Sequence, residues 1–139
     1  MSFAFNKQER LTSLKIIGQL FGRKAAFSFS AHPILLAVLP IPLPTPSPVQ
    51  VLVSVPKRNF KNAPDRNRLK RLLREAWRLN KHLYYETLTA QNTQAAILLL
   101  WTGKAEVPFE EVQKQIIYLH TKFAKQKFTP TTHAETPTE

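Results

Sequence analysis

Residues 66–83, RNRLKRLLREAWRLNKHL, place leucine at 69, 72, 73 and 83 and alanine at 76. At about 100° per residue these five fall on one side of a helix. Such a side must be covered, and the chain carries a covering run on each flank: VQVLVSV before the helix and QAAILLLW after it. Both are short and apolar, and the first is β-branched at alternate positions, so both read as buried strands. A helix held between two strands in sequence calls for a small sheet with helices packed on it, rather than a bundle or an all-β barrel.

The rest of the chain extends this plan. ERLTSLKIIGQLFGRK, residues 9–24, predicts a first amphipathic helix on Leu11, Leu14, Ile17 and Leu20 or Phe21, with Gly22 placed to stop it. AAFSFSAHPILLAVL predicts strands, alternating at Phe27 and Phe29 and continuously apolar after Pro33. PIPLPTPSP, residues 40–48, has proline at alternate positions and cannot join a ladder, so it is expected as an extended loop. Asp65 is the expected N-cap of the charged helix, and PFEEVQKQIIYLHTKFAKQ, residues 108–126, predicts a last helix with two glutamates in its first turn. The expectation is a single α+β domain over residues 1–128, with a mostly antiparallel sheet and three helices in the order αβββαβα. Residues 129–139 lack apolar periodicity and are expected to be a disordered tail.

The charge is as lopsided as the hydropathy. Lys and Arg number 20 against 9 acids, a net charge of +11 and a pI near 10.3. Between Lys57 and Lys81 lie ten cations and only Asp65 and Glu75 as acids, so this stretch carries eight of the eleven net charges. On the helical wheel Arg66, Asn67, Lys70, Arg71, Arg74, Arg78 and Lys81 spread over roughly 140° away from the leucines. Cations crowded at this spacing repel one another, which a merely solvated face avoids by mixing signs. The pattern points to phosphate. A membrane-surface helix would also be basic, but here the apolar face is needed by the flanking strands, and arginine outnumbers lysine five to two between residues 66 and 81. Trp77 lies near the boundary of the two faces and is assigned to the core edge.

No cysteine is present, which excludes disulfides and thiolate metal sites. The two most apolar runs are well short of the roughly 20 residues of a membrane span. A cytoplasmic protein with no membrane partner is expected. His32, His82, His120 and His133 share no metal-ligand spacing. Asp65 and Glu75 are assigned to helix capping and to pairing with Arg71 or Arg78, so no protein-borne nuclease site is visible and no metal site is assigned.

The segment DRNRLKRLLREAWR resembles the signature of the protein subunit of bacterial ribonuclease P: an Arg-Asn-Arg triplet, a hydrophobic residue, Lys-Arg, two hydrophobic residues and Arg-Glu. Residues 66–75 match it throughout. VSVPKR and ERLTSLKIIGQLF resemble the family's basic-ended strand and first helix, and the resemblance covers about residues 9–126. It implies a left-handed βαβ crossover through the charged helix and partnership with a catalytic RNA that carries the chemistry with bound Mg²⁺. It also implies precursor tRNA as substrate, cut to release its 5′ leader, and a protein that is monomeric when free. Arg66, Asn67, Arg68, Lys70, Arg71 and Arg74 are then implied to contact the catalytic RNA or hold the structure that does. Arg78 and the basic pair Lys57 and Arg58 join them. Phe21 matches an aromatic of the family's leader cleft, and Ile17 stands where a second aromatic is frequent. Phe27 and Phe29 share one strand face and offer further stacking surface for the leader.

Overall fold

The computed structural model describes residues 7–22 and 27–128, so the expected tail at 129–139 lies outside the described residues. A 3₁₀ turn at Lys7–Glu9 leads to α1 (Leu14–Phe21), β1 (Phe27–Ala31), β2 (Ile34–Pro40) and β3 (Val49–Ser54). These are followed by α2 (Ala63–Ala90), β4 (Ala95–Trp101) and α3 (Phe109–Phe123). The four strands form one sheet in the order β1-β2-β4-β3, antiparallel at β1–β2 and β2–β4 and parallel at β3–β4. The parallel pair is joined through α2, as the flanking strands of the sequence require.

Strand alternation sorts the core into two layers. Ala95, Ile97, Leu99 and Trp101 of β4 face α2 and α3, meeting Leu69, Leu73, Ala76 and Trp77 of α2 and Val112, Ile116, Leu119 and Phe123 of α3. Ala96 and Leu98 face the other way and pack with Leu11, Ile16 and Leu20 of the N-terminal segment. Trp77 is fully buried, so the expected core-edge residue is a central one.

Three expectations are corrected. The first helix starts at Leu14, not at residue 9, because the Ser13 hydroxyl caps it by accepting from the Ile16 N–H at 3.3 Å. Residues 10–11 are extended instead and bridge to β3, with the Leu11 N–H donating to the Val51 carbonyl at 3.0 Å. The helical phase is thereby reset: Ile16 and Leu20 are buried one turn apart, while Leu14 is 84% exposed. The second correction is at α2, which begins at Ala63 after Asn62; Asp65 sits inside the first turn and bonds Arg68. The third concerns Lys81, which is only 4% exposed and leaves the charged face altogether.

A single side chain makes three hydrogen bonds to the proline-rich connection. Gln94 accepts from the Leu43 N–H at 2.9 Å and donates to the Thr45 and Ser47 carbonyls at 2.7 and 2.9 Å. At the opposite end of the sheet, Gly103 closes against the β1–β2 turn, where an added Cβ would lie 2.9 Å from the Pro33 Cβ. That approach leaves no room for a side chain.

Candidate nucleic-acid interface

The Arg-Asn-Arg triplet opens α2, and its two arginines do different work from the cations that follow. Arg66 turns back and donates to the Phe60 and Lys61 carbonyls at 2.7 and 2.9 Å, fixing the loop that carries Lys57, Arg58 and Lys61. Arg68 reaches to the other side, where it forks onto both Glu106 carboxylate oxygens at 3.2 and 2.6 Å and also meets Asp65 at 2.7 Å. The hydrogen bonds it donates to Glu106, then to Asp65, push its guanidinium pKa upward. Asn59 joins the two loops by donating to the Gly103 carbonyl at 3.4 Å. Asn67, between the arginines, is exposed.

Beyond the triplet the polar face is less compensated. Arg78 is held by Glu75 through a forked pair at 3.0 and 2.6 Å, which raises the Arg78 pKa and lowers that of Glu75. Lys57, Arg58, Lys61, Lys70, Arg71 and Arg74 have no salt-bridging acid among the described residues. These six occupy the first half of α2 and the loop before it, a stretch in which Asp65 and Glu75 are the only acids of the sequence. Lys61 was missed by the sequence reading; its position in a turn-forming run gives no periodicity to mark it.

Lys81 pairs instead with Glu9, itself 6% exposed, in a buried contact completed by the Tyr85 hydroxyl, which donates to the Glu9 carboxylate at 2.5 Å. Burial, then the hydrogen bond to Glu9, pushes the Tyr85 pKa upward. The cluster fastens the N-terminal segment to the flank of α2. Glu9 and Lys81 are 72 residues apart, so nothing local marks either as a partner.

On the sheet face beneath α1 the covering is partial. Leu35, Leu52 and Leu100 remain half-buried, Ser28 and Ser30 are exposed, and Ile17 packs half-buried at the side. Phe21, at the end of α1, is 53% exposed. An open apolar floor with an exposed aromatic at its rim suits stacked, unpaired bases. Phe27 and Phe29 do not share this face. They pair in register with Val38 and Leu36 and pack toward α3, with Phe27 edge-on to Phe128 at 4.8 Å and Phe29 against Phe123 at 6.4 Å between ring centroids. The sheet separates them from Phe21, so the four residues expected to bind the leader do not form one surface. Phe27 and Phe29 belong to the core.

Among the described residues, no three His, Asp or Glu side chains come together as a metal site, and no helix is long and apolar enough to cross a membrane.

The family description Ribonuclease P matches residues 5–124. The ribonuclease P protein components of two Porphyromonas gingivalis strains are each 34% identical over 113 residues, covering 81% of this chain and 81% of the relative. Two solved structures share the fold. The Thermotoga maritima ribonuclease P protein superposes with a TM-score of 0.63 at 20% identity, covering 82% of this chain and 96% of that one. The Staphylococcus aureus protein gives 0.58 at 17% identity, covering 88% and 100%.

Proposed function

The chain belongs to the ribonuclease P protein family, and from that premise we propose that it works by two surfaces: the basic end of α2 grips the catalytic RNA, and the open face beneath α1 guides the 5′ leader of precursor tRNA. The observation that carries the proposal is the set of six cations without a salt-bridging acid among the described residues, gathered on the exposed start of α2 and its preceding loop. Each phosphate they neutralise releases a counterion, so affinity for RNA is expected to fall steeply with salt. Arg66 and Arg68 are positioning residues in this reading. They hold the loops at residues 57–62 and 102–107 so that Lys57, Arg58, Lys61 and Lys104 are presented at fixed places.

In the proposed division of labour the RNA subunit carries Mg²⁺, which supplies an activated water for phosphodiester hydrolysis. The acids that the protein presents near its basic face, Asp65, Glu75 and Glu106, are each engaged by an arginine. The chain's own residues bind and orient: phosphates at the basic end, unpaired bases on the apolar floor and Phe21. The protein is read as a cytoplasmic monomer until it meets its RNA.

The test is reconstitution. The chain and its cognate RNA together should release the 5′ leader of precursor tRNA at a low Mg²⁺ concentration at which the RNA alone is nearly inactive, and the chain alone should cleave nothing. RNA binding that leaves cleavage unchanged would instead mark a non-enzymatic RNA-binding or ribosome-associated protein.

A further inference from the structure

Between the N-terminal segment and α2 runs a groove of about 170 Å³. Residues 10–12 form one wall, the outer edge of β3 at residues 51–53 forms the floor, and Arg74 closes the far side. Arg10 therefore faces Arg74 across a narrow apolar channel. Arg10 is easily overlooked in the sequence, because Glu9 beside it cancels its charge on paper. In the fold Glu9 turns inward to Lys81 and Arg10 stays at the surface.

Two guanidiniums brought together over an apolar floor repel each other, and the low polarity of the walls strengthens their field. Burial, then the nearby Arg10 charge, pulls the Arg74 pKa down. An anion lying between the two groups relieves that repulsion. Both ends are fixed beforehand: Arg10 by its bridge to Val51 and by the buried Glu9 next to it, Arg74 by a helix whose opposite side is packed on the sheet. Strand periodicity adds a donor, since the edge that turns the Val51 carbonyl outward to Leu11 turns the Val53 N–H outward as well.

We propose that this groove is a phosphate site in which Arg10 and Arg74 clasp one phosphodiester of single-stranded RNA. Resting on the RNA-binding reading of α2, it adds a second wall to the basic face and joins that face to the open floor beneath α1. Forked guanidiniums suit the task, because each can meet two oxygens of the same phosphate.

The full-length chain, titrated with a fluorescent oligouridylate at low salt, tests this with Arg10→Gln, Arg74→Gln, the double variant, and Arg71→Gln as a reference outside the groove. Each groove variant should weaken binding about tenfold. The double variant should be little worse than either single one, because both arginines serve one phosphate. The salt slope should drop by about 0.7 in either single variant and no further in the double. Unchanged affinity in Arg10→Gln while Arg71→Gln weakens binding overturns the clasp, as do two fully additive losses. Unchanged affinity in Arg71→Gln too would sink the RNA reading of α2 and the groove with it. If inorganic phosphate stabilises the wild type but not Arg10→Gln while oligouridylate affinity is equal in both, the groove belongs to free phosphate and not to RNA. Equal melting temperatures establish that each variant is folded.

Discussion

On one face of the sheet Trp77, Tyr84, Trp101 and Phe123 are all fully buried beneath two long helices, whereas the other face is covered by eight residues of α1 and an extended segment, leaving three leucines half-buried and two serines exposed. The first face is dense with aromatic contacts, among them Trp77 to Tyr84 and Tyr84 to Phe123, each at 4.8 Å between centroids. The second uses alanines at 37 and 96 and is anchored at its margin by a buried ion pair. The difference teaches how a small domain can leave apolar surface partly open without unfolding: dense packing is concentrated on the face that the two long helices cover.

The sharpest way to break this comparison is Trp77→Ala. It should cost the fold about 3 to 5 kcal/mol, read as a lower denaturation midpoint. A loss below about 1 kcal/mol would mean that the two faces share the load. Next comes Glu9→Gln, which leaves the buried Lys81 ammonium without its counter-charge and should cost about 3 kcal/mol. Lys81→Met added to it should recover most of that loss; no recovery would show that Glu9 matters for something other than the pair.

Phe21 and Phe29 sharpen the contrast as a matched pair. Phe21→Ala should leave the midpoint almost unchanged and weaken holoenzyme binding of leader-bearing precursor tRNA by about 1 to 3 kcal/mol, with mature tRNA unaffected. Phe29→Ala should do the reverse, lowering stability through its contact with Phe123 and sparing leader affinity. Equal weakening toward both tRNAs in Phe21→Ala would take that residue out of the leader site.

The smallest effect is expected from His120, which packs edge-on to Tyr84 and meets the Thr87 hydroxyl at 2.9 Å. Burial is the main cause of its lowered pKa. The unfolded chain therefore takes up a proton first, at about pH 6.5, and stability declines as the pH falls from there toward the folded value. Midpoints measured at neutral and mildly acidic pH should differ more in the wild type than in His120→Gln; an identical difference would remove His120 as a source.

Much of the densely packed face was legible because its signals are local. The leucines of α2 and the spacing of Val112, Ile116, Leu119 and Phe123 report burial through helical period alone. The thinner face was not. A hydroxyl cap at Ser13 and a two-residue bridge to β3 shifted the phase of α1, and no periodicity anticipates either. Alternation said that Phe27 and Phe29 share a face but not which one; that depends on the docking of α3, nearly a hundred residues later. Lys81 looked like one more cation on a polar arc, and only its distant acid makes it a buried one. The signature helix was legible as a basic surface, yet the sequence did not separate the arginines that shape the two loops from the cations without a salt-bridging acid among the described residues.

The bridge between residues 10–11 and Val51 has one more consequence. β3 is an edge strand, and VQVLVS is uncharged, β-branched and free of proline, the kind of segment that recruits further strands from other molecules. The N-terminal segment occupies part of that edge, and Arg10 and Arg74 set positive charge along the groove beside it. The residues proposed to clasp RNA are thus also placed to shield this edge of the sheet. A chain shortened past Leu11 should scatter light increasingly with concentration under conditions where the full-length chain does not.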